Sequence, residues 1–219
     1  LKFRDSLPKQ RKHKYKNYKN IVGSLIFVSG CQLSIYTNMH TDWKSVIDRY
    51  YPVGREVRDI LLQHSHSVAD LAIQIAHEKH LPLTDDEVET AAMLHDIGII
   101  ATDAPGIDCH GAEPYLAHGA VGADMLRHAG VDEKYARVAE RHTGAGLTAE
   151  EIAEAQLPLP PGRDYMPQTL LEKLICYADC FYSKGGDMKI KPLDRVRKSM
   201  AKFSPGVAER FEKLHELFS

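Results

Sequence analysis

One ten-residue stretch constrains this chain more than any other: Ala91-Ala92-Met93-Leu94-His95-Asp96-Ile97-Gly98-Ile99-Ile100. It sets an imidazole and a carboxylate side by side in an apolar run that breaks at glycine. Val88, Ala91, Ala92 and His95 recur at helical spacing, so His95 shares the inward stripe and Asp96 lies next to it. A carboxylate taken out of water without a partner is costly, and such groups are paired or bound to a cation. Taken alone, the pair also fits a capped helix end, with Asp96 bonded to the turn at Gly98. What decides is whether other segments bring partners to it.

From Thr41 onward nearly every segment reads as helix. Thr41 or Asp42 caps a short helix to Tyr50, which Pro52 and Gly54 end. Arg55 to about Lys79 is amphipathic, with His64 on the stripe between Leu61 and Val68, and with His66 and His77 off it. Thr84 and Glu87 have the form of a capping box opening the helix that carries His95. A loop from Ala101 to Gly111 follows, holding Asp108 and His110. Glu113 to Arg127 reads as the next helix, where Tyr115, His118, Gly119, Gly122 and Met125 share a face. After Gly130, Asp132 caps a helix on which Tyr135, Val138, Ala139 and His142 align, with Arg141 at the stripe's edge. Thr148 and Glu151 suggest another box, and residues 157–167 form a proline-rich loop. Thr169 and Glu172 open a helix expected to run through Lys184, with Lys173 near its start and Asp179 at the edge of its stripe. Segments 193–202 and 205–218 complete an all-α bundle; no internal repeat and no strand pattern of useful length interrupts it.

Five of these helices each place a possible ligand inward: His64, His95 with Asp96, His118, His142 and Asp179. Separate hydrogen-bond partners for so many buried groups are difficult to supply, whereas a shared metal centre satisfies them together. Four imidazoles and two carboxylates suit one or two divalent transition-metal ions (Fe, Mn, Co, Ni or Zn) better than Mg or Ca, which prefer oxygen. Six ligands hold two ions if one carboxylate bridges.

The order His64 … His95-Asp96 … Asp179 resembles the signature of the HD-domain metal-dependent phosphohydrolase superfamily, and His95-Asp96-Ile97-Gly98 is the form that names its HDIG subgroup. The flanks His64-Ser65-His66-Ser67-Val68-Ala69 and Tyr177-Ala178-Asp179 are similar too. The resemblance covers roughly residues 54–185. It implies a helical bundle with the metal site at its centre, in which His64, His95, Asp96 and Asp179 hold a first ion. Asp96 then bridges to a second held by His118 and His142. It implies hydrolysis of a phosphoester of a nucleotide or small phosphorylated metabolite by a metal-activated water, with Asp96 and Arg141 in catalytic roles. Arg141, His110, Lys173 and Lys184 are candidate substrate contacts. Ile99 stands where many HDIG members have lysine, so one phosphate contact is missing or supplied elsewhere. The tail typical of cyclic-dinucleotide phosphodiesterases is also missing. The same ligand set serves HD-fold diiron oxygenases, and a non-catalytic nucleotide-binding module is a further alternative.

Charge bears on partners. The net charge of −2 divides into +7 over residues 1–20 and −9 over the rest, so the body of the chain does not look like a general nucleic-acid binder. The expected partner is a small phosphorylated substrate, with no nucleic acid. Residues 1–38 pair a basic run with a short apolar one ending Val28-Ser29-Gly30-Cys31. They are expected to lie outside the fold, as spurious sequence upstream of a start at Met39 or as a lipoprotein-like signal lipidated at Cys31. The domain is then 39–219, cytoplasmic unless anchored through Cys31. Cys176 and Cys180, four apart, do not form a disulfide or zinc-ribbon framework.

Overall fold

Polar side chains mark where most of the helices begin. The computed structural model describes residues 41–186 and 188–219. The chain divides into two units, Leu1–Met39 and His40–Ser219. The expectations for residues 1–38, Cys31 included, and for a start at Met39 lie outside the described residues. In the second unit α1 is Trp43–Tyr50, α2 Glu56–Glu78, α3 Asp85–Leu94, α4 His118–His128, α5 Glu133–Arg141, α6 Ala149–Glu154, α7 Leu170–Asp179, α8 Leu193–Phe203 and α9 Pro205–Phe218. Asp42, Thr84, Asp132, Thr148, Thr169 and Ser204 each accept a hydrogen bond from a backbone N–H in the first turn of the helix that follows. Only Thr148 and Glu151 complete a reciprocal box among the three expected. Glu87 instead pairs with Lys134 at 2.7 Å, while the Glu172 carboxylate takes Arg141 at 3.0 Å together with the Gln168 N–H at 2.8 Å.

Two boundaries differ from the expected ones. The helix expected from Glu113 begins at His118, after a 3-10 turn at Tyr115–Ala117. Pro114 holds its predecessor away from helical backbone, and Glu113 is bridged to Thr102, its N–H bonded to Ala101 O and its carbonyl to the Asp103 N–H. The helix expected to reach Lys184 stops at Asp179. Phe181 and Tyr182 bond three residues back, to Ala178 and Asp179, and the tightened turn hands the chain to Gly185-Gly186. Lys184 therefore stands in a turn. A two-residue hairpin, β1 (Asp103–Ala104) with β2 (Cys109–His110), lies in the loop after α3.

Helix α2 packs on α3 and α7, α4 on α5, and α8 on α9. The apolar interior falls into two clusters. One gathers Val68, Ala91, Leu174, Ile175, Val207 and Phe211 from α2, α3, α7 and α9. The other gathers Ile47, Tyr51, Leu61, Leu94, Ile97 and Leu126 around α1, the start of α2 and the end of α3. His64 falls between Leu61 of one cluster and Val68 of the other, and His95 follows Leu94. The seam between the two apolar bodies is where polar ligands are concentrated.

The turn after α3 is fixed from two sides. Tyr51 is fully buried, donates its hydroxyl to Ile97 O at 2.7 Å and accepts from the Ile100 N–H at 3.2 Å. Gly98 meets α4 backbone to backbone: a methyl there would lie 2.8 Å from Gly122 Cα and closer still to other main-chain atoms. Among the described residues no helix is long and apolar enough to cross a membrane.

Gly98→Ala should lower stability by about 3 kcal/mol, the upper part of the overpacking range, because rigid main chain cannot yield; urea denaturation measures it, and a change under about 0.5 kcal/mol contradicts the packing described. A second expectation concerns acid. Glu151 ties α6 to α9 through Ser204 and Arg210, both at 2.5 Å. Burial pushes its carboxyl up, but Ser204, the Thr148 N–H and Arg210 outweigh that and hold it below the ordinary carboxylate value. Its stabilisation is complete above the unfolded carboxylate range and disappears as pH falls through the lowered folded value. Urea midpoints of Glu151→Gln should thus depend less on pH in the acid range than those of the parent.

Candidate metal centre

Each ligating ring is aimed by the backbone of its own segment. His95 and His142 are the first residues past α3 and α5, and His118 is the first residue of α4. In each the Nδ1–H donates to the carbonyl three residues back: Ala92 at 2.6 Å, Tyr115 at 2.7 Å and Ala139 at 2.8 Å. That bond fixes ring and tautomer and turns Nε2 outward as a lone-pair donor, the usual support of a metal-binding imidazole. His64 comes from the middle of α2 and Asp179 from the last residue of α7.

Two clusters result, His64–His95–Asp96–Asp179 and Asp96–His118–His142. Asp96 belongs to both. Its Oδ2 lies 3.1 Å from Nε2 of His64 and of His95, while Oδ1 lies 3.4 Å from His118 Nε2 and 3.3 Å from His142 Nε2. Asp179 Oδ1 is 2.9 Å from His64 Nε2 and 3.5 Å from His95 Nε2. Ring nitrogens face each other, His118 and His142 at 2.9 Å and His64 and His95 at 3.3 Å. Two lone pairs repel at the His118–His142 separation, and Asp96 Oδ1 is buried without a hydrogen-bond partner. Such a set fits shared cations. Imidazole nitrogen with carboxylate oxygen is the donor chemistry of divalent transition metals.

The electrostatics point the same way. Burial pushes the Asp96 and Asp179 carboxyls up, yet His95 and Lys184 around the first, and Lys184, His64 and His95 around the second, hold both well below the usual carboxylate range. Burial pulls the His95 imidazole down, but Asp96 and Asp179 raise it to about 10. The cage thus favours positive charge of any kind. His118 is the opposite case: burial, aided by His142 and Lys184 against the pull of Asp96, takes it down to about 3 and keeps its nitrogen free to donate.

Of the expected substrate contacts, Lys184 alone reaches this centre. Its ammonium is 2.7 Å from Asp96 Oδ2, with a side chain 11 % exposed. It also lines a cavity of about 290 Å³ with Ala104, Gly106, Ile107, Tyr115 and Gly185. Arg141 has a buried guanidinium that donates to Glu172 of α7 at 3.0 Å and to the Asp164 carbonyl of the proline-rich loop at 3.1 Å. His110 is largely exposed and pairs with Asp108 at 3.2 Å. Lys173 lies six residues before Asp179 on α7, about 9 Å back along the axis. Asp108 is held by the Val57 N–H at 3.4 Å and Arg55 at 3.3 Å, supplying the cap that Arg55 cannot give to α2. Cys176 and Cys180 are free thiols that both donate to Gly144 O. Sequence reasoning missed Tyr115 as a site residue. It stacks on His118 with ring centres 5.0 Å apart, and its place three residues before that histidine was the available signal.

A family model described as HD domain matches residues 61–183. Two relatives, from Thermoplasma volcanium and Picrophilus torridus, bear the name tRNA (cytidine(56)-2'-O)-methyltransferase. Each is 34 % identical, over 81 % and 74 % of this chain and 47 % and 42 % of their own lengths. The chain therefore spans about half the length of these curated relatives. An uncharacterized protein of Methanocaldococcus jannaschii is 42 % identical over 54 % of this chain and 64 % of its own. No solved structure matches significantly.

Metal analysis after reconstitution and desalting should find two divalent ions per chain. His142→Ala should lose one ion, Asp96→Ala most of both, and Cys176→Ser neither. Retention of both ions by Asp96→Ala contradicts the shared-carboxylate arrangement.

Proposed function

Because this chain belongs to the HD-domain family, we propose that it is a metal-dependent phosphohydrolase that cleaves a phosphoester of a nucleotide or small phosphorylated metabolite. One observation carries the reading. Asp96 offers an oxygen to each of two ligand clusters, and Lys184 links that same carboxylate to a cavity open to solvent.

His64, His95, Asp96 and Asp179 would hold one ion, and Asp96, His118 and His142 the other. Such ions, when bound, lower the pKa of water and polarise phosphoryl oxygens. The chain's own groups do the remainder. The backbone-locked imidazoles keep their orientation, so little reorganisation accompanies reaction. The Lys184 ammonium meets the negative charge of a phosphoryl group arriving from the cavity, in the role left open by Ile99. Burial of the surrounding carboxylates excludes bulk water and strengthens that attraction.

The names of the two longer relatives make tRNA a partner to be tested, against the expectation of no nucleic acid. Methyl transfer to a ribose hydroxyl needs a methyl-donor site as well as a base, and a pair of His/Asp clusters sharing a carboxylate offers bases but is ordered as a place for cations. About half of each relative lies beyond the match, so the methyl-transfer name fits a protein in which this region is one part. An oxygenase would use the same ligands, but an ammonium beside the shared carboxylate favours an anionic phosphoryl group.

A panel of phosphoesters, including a tRNA substrate, screened with Mn, Co, Fe, Ni and Mg should show phosphate release with at least one transition metal. Lys184→Gln should raise KM by about 10-fold or more, the loss of one charge-assisted contact. Oxygen uptake coupled to substrate loss without ester cleavage overturns the proposal.

A further inference from the structure

The charge of −9 over residues 21–219 is an average, and one segment departs from it. Residues 188–203 hold six cations (Lys189, Lys191, Arg195, Arg197, Lys198 and Lys202) against Asp194 alone, a net of +5. Arg197 is committed to Glu212 of α9, at 2.8 and 2.9 Å. Arg195, Lys198 and Lys202 are exposed and have no ion pair among the described residues. Their spacing of three and four puts them on one face of α8, away from the buried Val196 and Met200. Like charges at that spacing repel, so the bare face costs helix stability that a negatively charged partner restores.

The chain reaches this helix from beside the metal centre. The Lys191 N–H donates to Phe181 O at 2.8 Å, two residues past Asp179. Lys191 also lies in the field of Asp179, of Lys184 and of Arg195. Lys184, Lys191 and Arg195 thus succeed one another outward from the centre, and Lys198 and Lys202 continue the row along α8. Arg195 and Lys202 stand about 10 Å apart along the axis, room for successive phosphates of a strand.

We propose that this row of cations on α8 binds a single strand of nucleic acid by its phosphate backbone. The inference holds whatever reaction the centre performs. One row of cations matches one backbone. Phe203, 52 % exposed and directly after Lys202, offers a base a ring to stack on. A membrane surface fits less well. A helix lying in an interface needs a free apolar face, and that of α8 is spent on packing against α9.

Fluorescence polarisation of a labelled oligouridylate of about a dozen nucleotides, on the full metal-loaded chain over a range of salt, tests this. Arg195→Gln, Lys198→Gln and Lys202→Gln combined should weaken binding about 10-fold or more at low salt. They should also flatten the slope of log Kd against log salt by about 2, each single change supplying about a third of that. Lys44→Gln with Arg49→Gln, which removes two exposed cations of α1, should leave affinity and slope unchanged. The basic run of residues 1–20 is common to every protein compared, so it drops out of the differences. Parent-like affinity and slope in the triple variant overturn the inference, as does an equal loss in the α1 pair. Binding of the parent to phosphatidylserine vesicles but not to oligouridylate overturns it in favour of a lipid surface. Binding to neither overturns it outright.

Discussion

The fold is organised by a single buried carboxylate and the positive character that surrounds it. Asp96 has no exposure, yet Nε2 atoms of four histidines stand within 3.4 Å and an ammonium at 2.7 Å. An ion so deeply placed is tolerable only where its surroundings return what hydration gave, and the chain arranges five helices to do so. The apolar interior accommodates this by splitting. One hydrophobic cluster lies on each side of the polar seam, and helices that cross the seam contribute to both.

Backbone geometry explains how such a cluster is assembled without a preformed pocket of loops. A histidine at the first or last turn of a helix can use its Nδ1 to cap a carbonyl of the same turn, which leaves Nε2 pointing along a direction set by main chain alone. Three of the four rings do this. The turn beyond Asp96 is fixed with the same economy: the Tyr51 hydroxyl bonds to it on one side, and Gly98 rests against the α4 main chain on the other. Precision at the site follows from packing and needs no long-range network.

Much of this could be read from the residues. Helical spacing put His64, His95, His118, His142 and Asp179 inward, and the structure brings all of them to Asp96, because periodicity reports burial and buried polar groups seek one another. Caps located most helix starts, since Asp42, Asp132, Thr148 and Thr169 act within one turn of their own position. What could not be read depends on neighbours distant in sequence. Glu172 turned from its expected box to Arg141, 31 residues earlier, and to the Gln168 N–H. Lys184 was placed on a helix, but the two glycines beyond it and the tightened bonds at Phe181 and Tyr182 put it in a turn. Tyr115 showed on the same face as His118, yet only three dimensions reveal that it also borders a cavity.

The groups at this site differ in what carries them. Ligands to the proposed ions sit in or at the ends of helices, whereas Tyr115 and Lys184 sit on a 3-10 turn and a glycine-flanked bend. Helical positions move little when neighbouring residues are exchanged, but short irregular connections accept insertions and new side chains. A lineage descended from such a chain could therefore alter what it recognises many times over while the inner cage stayed as it was, so that kinship would be written in the helices and specialisation in the bends.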